Sequence, residues 1–253
     1  MNIQLRKWIS MLAALLASVT SVAAADSKTI LVLVTGAEKM TNGKATGLWL
    51  EEFAIPYKAF ADAGYQVEVI TPQGGAAPID PRSNPEPAQA IAWEEAALRL
   101  RQTRPLASVT PDDFAAIFIP GGHGVMFDLV DDPAVAKLIQ EFDAQGKPVA
   151  AVCHGPAALV NVVRKDGSPL VAGRRLTAFT DAEERAVELD KDMPFLLETR
   201  LRELGAKVET RDNFTAHAVR DGNLLTGQNP ASSGATAALL LEALADGREQ
   251  AAR

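Results

Sequence analysis

The stretch Val149-Ala150-Ala151-Val152-Cys153-His154-Gly155-Pro156-Ala157 decides the reading of this 253-residue chain. Its first four residues form an unbroken apolar run, the pattern of a parallel strand buried on both faces. Cys153 follows where that strand ends, and Gly155 and Pro156 suit a tight turn opening a helix. A side chain on such an elbow is held out of the sheet at its carboxyl edge, where open α/β sheets form ligand crevices. The predicted helix start also offers unpaired N–H groups and partial positive charge, which favour thiolate over thiol. Cys153 is therefore a candidate nucleophile; the competing reading is a small buried hydrophobe.

Working outward, further β-branched apolar runs occur at Ile30-Leu31-Val32-Leu33-Val34, Val67-Glu68-Val69-Ile70 and Ala116-Ile117-Phe118-Ile119. Helical stretches are predicted between them at Leu48 to Ala63, Pro87 to Arg101 and Pro133 to Gln145, with Gly64 and Gly146 as C-terminal stops. Strand and helix alternation of this kind predicts a doubly wound, mostly parallel sheet flanked by helices. The later part is less regular. A short strand is expected near Arg175 to Phe179, a helix over Pro194 to Leu204, a hairpin through Ala218 to Leu225 turning at Asp221-Gly222, and a last helix over Ser232 to Leu244. The tail after Asp246 is expected to fray, and the Pro-rich stretch Pro78 to Pro87 reads as an ordered surface loop.

At the other end of the chain, Arg6 and Lys7 precede a mostly apolar run from Trp8 to Val22 that closes on Ala23-Ala24-Ala25. This is the layout of a secretory signal peptide, so residues 1–25 are expected to be removed, leaving one α/β domain over 26–253 in an exported, periplasmic protein. Retention of the run as an anchor is the alternative. No other segment reaches the ~18 apolar residues of a spanning helix. The formal charge of −7 becomes −9 without Arg6 and Lys7, which argues against nucleic acid or an anionic membrane surface as a partner. A single cysteine forbids an intramolecular disulfide, and three histidines without ligand spacing give no metal site.

A second strand ends in Ile119-Pro120-Gly121-Gly122-His123-Gly124. Its glycines allow close backbone approach to a ligand, and beside the cysteine elbow the Gly122 and His154 amides become candidates for an oxyanion hole. His123 belongs either to the substrate-binding surface or to the loop's own structure. These residues resemble the ThiJ/PfpI superfamily, relatives of class I glutamine amidotransferases. The further stretches Thr46-Gly47-Leu48-Trp49-Leu50-Glu51-Glu52 with Pro56, and Leu225-Thr226-Gly227-Gln228-Asn229-Pro230-Ala231-Ser232, look like its branch of stress chaperones and glutathione-independent glyoxalases (glyoxalase III).

The resemblance implies a flavodoxin-like sheet and a catalytic Cys153-His154 pair with an acidic third member. Glu184 matches that third position, with Glu183 or Asp181 as fallback, and would orient His154. Glu52 matches the family's glutamate beside the thiol better than Glu51 does, and burial would raise its pKa so that it shuttles a proton. Trp49 is either a pocket wall or a structural residue, as His217 is structural, and the stretch from Thr226 to Ser232 reads as a capped turn into the last helix. The resemblance further implies a cofactor-free lyase acting on a small dicarbonyl, methylglyoxal or glyoxal, and a homodimer. Two rival readings stand beside it: a holdase for unfolded exported clients, and a redox sensor that oxidises Cys153. Peptidase or amidotransferase activity rests on fold analogy alone. Ala178, where relatives often carry glycine, is a departure from the pattern.

Overall fold

The computed structural model describes residues 27–251, and the expected leader lies outside the described residues. The chain runs β1 (Thr29–Leu33), α1 (Leu50–Asp62), β2 (Gln66–Thr71), α2 (Pro87–Ala92), α3 (Glu94–Arg99), β3 (Arg104–Pro105), β4 (Ala116–Ile119), α4 (Val125–Asp128), α5 (Pro133–Ala144) and β5 (Val149–Val152). It continues with β6 (Arg175–Leu176), α6 (Asp181–Ala186), α7 (Leu197–Glu203), β7 (Lys207–Val208), β8 (Ala218–Asp221), β9 (Leu224–Gly227) and α8 (Ser233–Ala251). Seven strands form one sheet in the order β3-β2-β1-β4-β5-β9-β8. Only β8 is antiparallel, entering through the predicted hairpin with β9. This is the expected doubly wound, flavodoxin-like architecture.

The two-residue period of the strands explains why their runs are apolar throughout. Leu31, Leu33, Ile117, Ile119, Val149 and Ala151 pack on one face against Leu138, Ile139 and Phe142 of α5. Their neighbours Ile30, Val32, Phe118, Ala150 and Val152 pack on the other face against Phe53 and Phe60 of α1 and Leu240 of α8. The Phe60 and Phe118 rings meet edge to face with centroids 5.5 Å apart. The switch point of the strand order falls between β1 and β4, so the loops leaving β1, β4 and β5 gather at one carboxyl edge.

Four expectations need correction. The stretch Pro87 to Arg101 is two short helices meeting at Trp93, and α2 buries none of its residues, so no packing holds the pair in line. The predicted strand over Arg175 to Phe179 is only β6, which pairs with β7 in a separate small sheet. After Cys153 the chain makes a single 3-10 segment, Gly155–Leu159, in place of an α-helix. All five of its residues are buried, and Gly155 sits hard against the Ile119 backbone, so the segment plugs the interior instead of running along the surface. Finally, α8 runs on to Ala251 where a fraying tail was expected. An ion pair from Arg220 to Asp246 at 2.8 Å and the Arg248 guanidinium stacked 5.5 Å over the Tyr65 ring hold its last turns. Among the described residues no helix is long and apolar enough to cross a membrane.

Candidate active site

Cys153 lies at the carboxyl end of β5 with φ +60, a left-handed conformation that costs a non-glycine residue about 1–3 kcal/mol and persists only where surroundings enforce it. Its own N–H donates to the Gly227 carbonyl at 2.9 Å, and its carbonyl accepts from the Phe179 N–H at 2.9 Å. Those two bonds clamp the elbow between β9 and the segment carrying Ala178. The thiol is 4% exposed. The Gly122 and His154 backbone amides lie beside its sulfur and favour its ionised form, so the two groups read from sequence as an oxyanion hole meet at one place. Gly122 can serve there because it has φ +93 and no side chain: a Cβ would run into the Gly47 carbonyl and the Trp49 amide.

Glu52 is fully buried in the first turn of α1. Its Oε2 accepts the Gly121 N–H at 2.7 Å, while its Oε1 has no hydrogen-bond partner, and the carboxyl lies beside the thiol. Burial pushes the Glu52 carboxyl from 4.5 up to about 8, partly offset by the neighbouring Cys153 and the Gly121 N–H. The same burial, with the Glu52 charge beside it, raises the Cys153 thiol well above its ordinary value. The expectation of a helix end favouring thiolate is thus reversed for the resting site. The 3-10 segment is too short to supply a macrodipole, and burial beside the Glu52 carboxyl holds the proton on the sulfur.

His154 approaches the sulfur through Nδ1 at 3.4 Å, and its Nε2 donates to Glu184 Oε2 at 2.7 Å. The sequence match to Glu184 therefore selects the residue that touches His154. The second oxygen of Glu184 accepts Nε2 of His123 at 2.9 Å, and the two imidazoles stack with centroids 4.1 Å apart. Burial alone would raise the Glu184 carboxyl, but the two histidines it bonds, His154 foremost, outweigh it and hold the group below the usual carboxylate range. His123 is lowered to about 4 by burial and by the neighbouring His154. It thus stays neutral, accepting at Nδ1 from Arg82 Nη2 at 3.1 Å. His123 lines the crevice as expected, but both its ring nitrogens are engaged within the protein.

Glu183, the fallback for the acidic role, points the other way. Its carboxylate accepts from the Thr180 N–H and hydroxyl, the Phe214 N–H, Gln228 Nε2 and Asn229 Nδ2, at 2.8–3.1 Å. This binds the Gln228-Asn229 turn to α6 and supports the structural reading of that motif. Asp181, the other fallback, caps toward Thr199 at the surface. Trp49 closes the crevice as a wall, and its N–H donates to the Gly121 carbonyl at 3.2 Å.

Sequence reasoning missed Arg82. It lies in the Pro-rich loop, held by buried Asp80 through Nε at 2.9 Å, and no local pattern ties that loop to the Gly-Gly-His turn. It also missed that His123, His154 and Glu184 come together: potential ligand atoms of the three lie within 4.8 Å of one another. Their positions, 31 and 30 residues apart, carry no ligand spacing. The Nε2···O distances are those of hydrogen bonds, and the adjacent Arg82 guanidinium disfavours a further cation. The crevice above the thiol holds about 300 Å³. Cys153 and His123 form its floor, and Trp49, Phe179, Val187 and Phe214 form much of its wall.

A model of the DJ-1/PfpI family matches residues 44–243. Glutathione-independent glyoxalase hsp3101 of Schizosaccharomyces pombe is 30% identical over 213 residues, 78% of this chain and 86% of that protein. The crystal structure of glyoxalase III from Candida albicans superposes with a TM-score of 0.76 at 26% identity, covering 85% of this chain and 96% of that one. Another solved structure, 48% identical, superposes with a TM-score of 0.81 and covers 87% of this chain and 99% of its own.

Proposed function

Because the chain belongs to the DJ-1/PfpI family and sets an acid, a base and two amide donors around one thiol, we propose that it is a glutathione-independent glyoxalase. It would convert methylglyoxal or glyoxal and water to the α-hydroxy acid. The observation that carries this reading is Glu52: a buried carboxyl that keeps its proton near neutral pH and lies beside the sulfur suits proton movement on a carbonyl adduct better than amide cleavage.

Glu184 holds the Nε2–H of His154 and so leaves Nδ1 as the acceptor for the thiol proton. As the Cys153 sulfur bonds to the aldehyde carbon, that proton passes to His154. The carbonyl oxygen, lying at the Gly122 and His154 amides, takes the Glu52 proton to give a neutral hemithioacetal. The Glu52 carboxylate then removes the hydrogen of the same carbon while His154 returns its proton to the neighbouring ketone oxygen, giving an enediol. Delivery of the Glu52 proton to the second carbon, with loss of the first hydroxyl proton to His154, leaves a thioester. Water cleaves the C–S bond, sulfur recovers a proton, and His154 and Glu52 return to their starting states. One carbon is oxidised and its neighbour reduced, so no external electron carrier is needed.

The reading is tested by incubating the protein with methylglyoxal in the absence of glutathione and following lactate. Lactate formed in proportion to methylglyoxal consumed is the expected result. Consumption without lactate would mean that the thiol is merely alkylated, and no consumption would remove the reading. Export of such an enzyme, proposed from residues 1–25, would place it where dicarbonyls arrive from outside the cell.

A further inference from the structure

Three features of the crevice are not needed for a three-carbon substrate. The first is its size: at about 30 Å³ per water, a volume of about 300 Å³ has room for about ten waters, at the lower end of pockets that hold drug-sized ligands. Methylglyoxal would occupy a minor part of it. The second is the lining. His154 lies 4.6 Å from the Phe179 ring, and Phe179 lies 6.3 Å from Phe214, so aromatic rings lead from the reacting histidine to the mouth. Arg82, the one cation in the wall among the described residues, is neutralised by buried Asp80 and turned to His123, and so offers little to an anionic group.

The third feature is how the mouth is held. Phe214 is 48% exposed, and with Val187 beside it leaves apolar surface open at the mouth. Its backbone is also strained, at φ +60, and its N–H is bound at 2.8 Å by the buried Glu183 carboxylate. A strained residue over-determined by a buried charge at the rim of a crevice is a pattern of ligand clamps. Val187, 38% exposed, faces the same opening from the end of α6.

Building on the glyoxalase reading, we infer that the site selects α-oxoaldehydes bearing a bulky, uncharged apolar group, with an aryl ring seated between Phe179, Phe214 and Val187. The reacting end is unchanged: thiol addition, proton transfer between the two carbons and hydrolysis convert the arylglyoxal and water to the aryl hydroxy acid.

The test compares kcat/KM for phenylglyoxal and methylglyoxal, read as mandelate and lactate, in the wild-type protein and in Phe214→Ala and Val187→Ala. In wild type the phenylglyoxal value should exceed the methylglyoxal value by about tenfold or more, the least that extra apolar contact in a fitted pocket confers. In Phe214→Ala the ratio of the two should fall ~3–10-fold, the worth of one aromatic pair, and Val187→Ala should lower it less. Lactate formed with no preference for phenylglyoxal, or a ratio unmoved by Phe214→Ala, would overturn this inference and leave the glyoxalase reading intact. Absence of both products would overturn both.

Discussion

Glu52 and Cys153 form a buried pair of acids: burial raises the carboxyl, and the same burial with the Glu52 charge beside it raises the thiol, while one carboxyl oxygen has no hydrogen-bond partner. On the proposed reading, such a site rests with its protons in place and spends them when a carbonyl enters. On the same reading, the two amides beside the sulfur, from Gly122 and His154, would stabilise the negative charge that then develops.

The pair gives stability a definite pH dependence. The folded Glu52 carboxyl sits at about 8 and the unfolded one at about 4.5. Below 4.5 both states are protonated and this group leaves stability independent of pH. From there to about 8 the unfolded chain alone ionises, so stability falls with rising pH. The ceiling of this effect is about 5 kcal/mol, at about 1.4 kcal/mol per pKa unit. Glu52→Gln removes the titration and retains an acceptor for the Gly121 N–H. Denaturant unfolding should show the variant gaining on wild type between pH 5 and pH 8.5, with activity lost. A constant difference across that range would mean that Glu52 is ionised in the fold.

Glu184 is expected to act on rate through the imidazole it holds. In Glu184→Gln the amide can satisfy one histidine Nε2–H only, and the tautomer that leaves His154 Nδ1 free is no longer enforced. The predicted loss in kcat/KM with methylglyoxal is about 10²–10⁴-fold, the range for a general base in the wrong state or orientation. A variant within a few-fold of wild type would remove the relay from the account.

The adjacent Glu183 is expected to act on stability instead. Its carboxylate gathers donors from Thr180, Phe214, Gln228 and Asn229, and Glu183→Gln turns one acceptor into a donor among them. Destabilisation of about 2–4 kcal/mol follows from burying mismatched polar groups. Thermal unfolding of the two single variants checks the division of labour: Glu183→Gln should show the larger drop in Tm and Glu184→Gln the larger loss of rate.

The sheet was legible because β1, β4 and β5 are buried on both faces and so carry unbroken apolar runs, and because glycine closes the helices between them. The elbow at Cys153 was legible for the same reason. What followed it was not, since Gly155 and Pro156 suit a 3-10 turn as well as an α-helix and only the packing under α4 and α5 decides between them. In the site, matched motifs led to Glu52 and Glu184. The second histidine on Glu184, the Arg82 contact and the clamp on Phe214 arise from contacts between residues 31 to 61 positions apart, which local spacing does not encode.

The most direct test of the central claim is lactate formation from methylglyoxal by Cys153→Ala protein whose circular dichroism and melting profile match wild type. The account predicts no lactate above the uncatalysed background, because among the described residues Cys153 is the only thiol or hydroxyl side chain lining the crevice. Lactate at a rate comparable with wild type would contradict it and would leave Cys153 a buried thiol at a strained turn without a part in the chemistry.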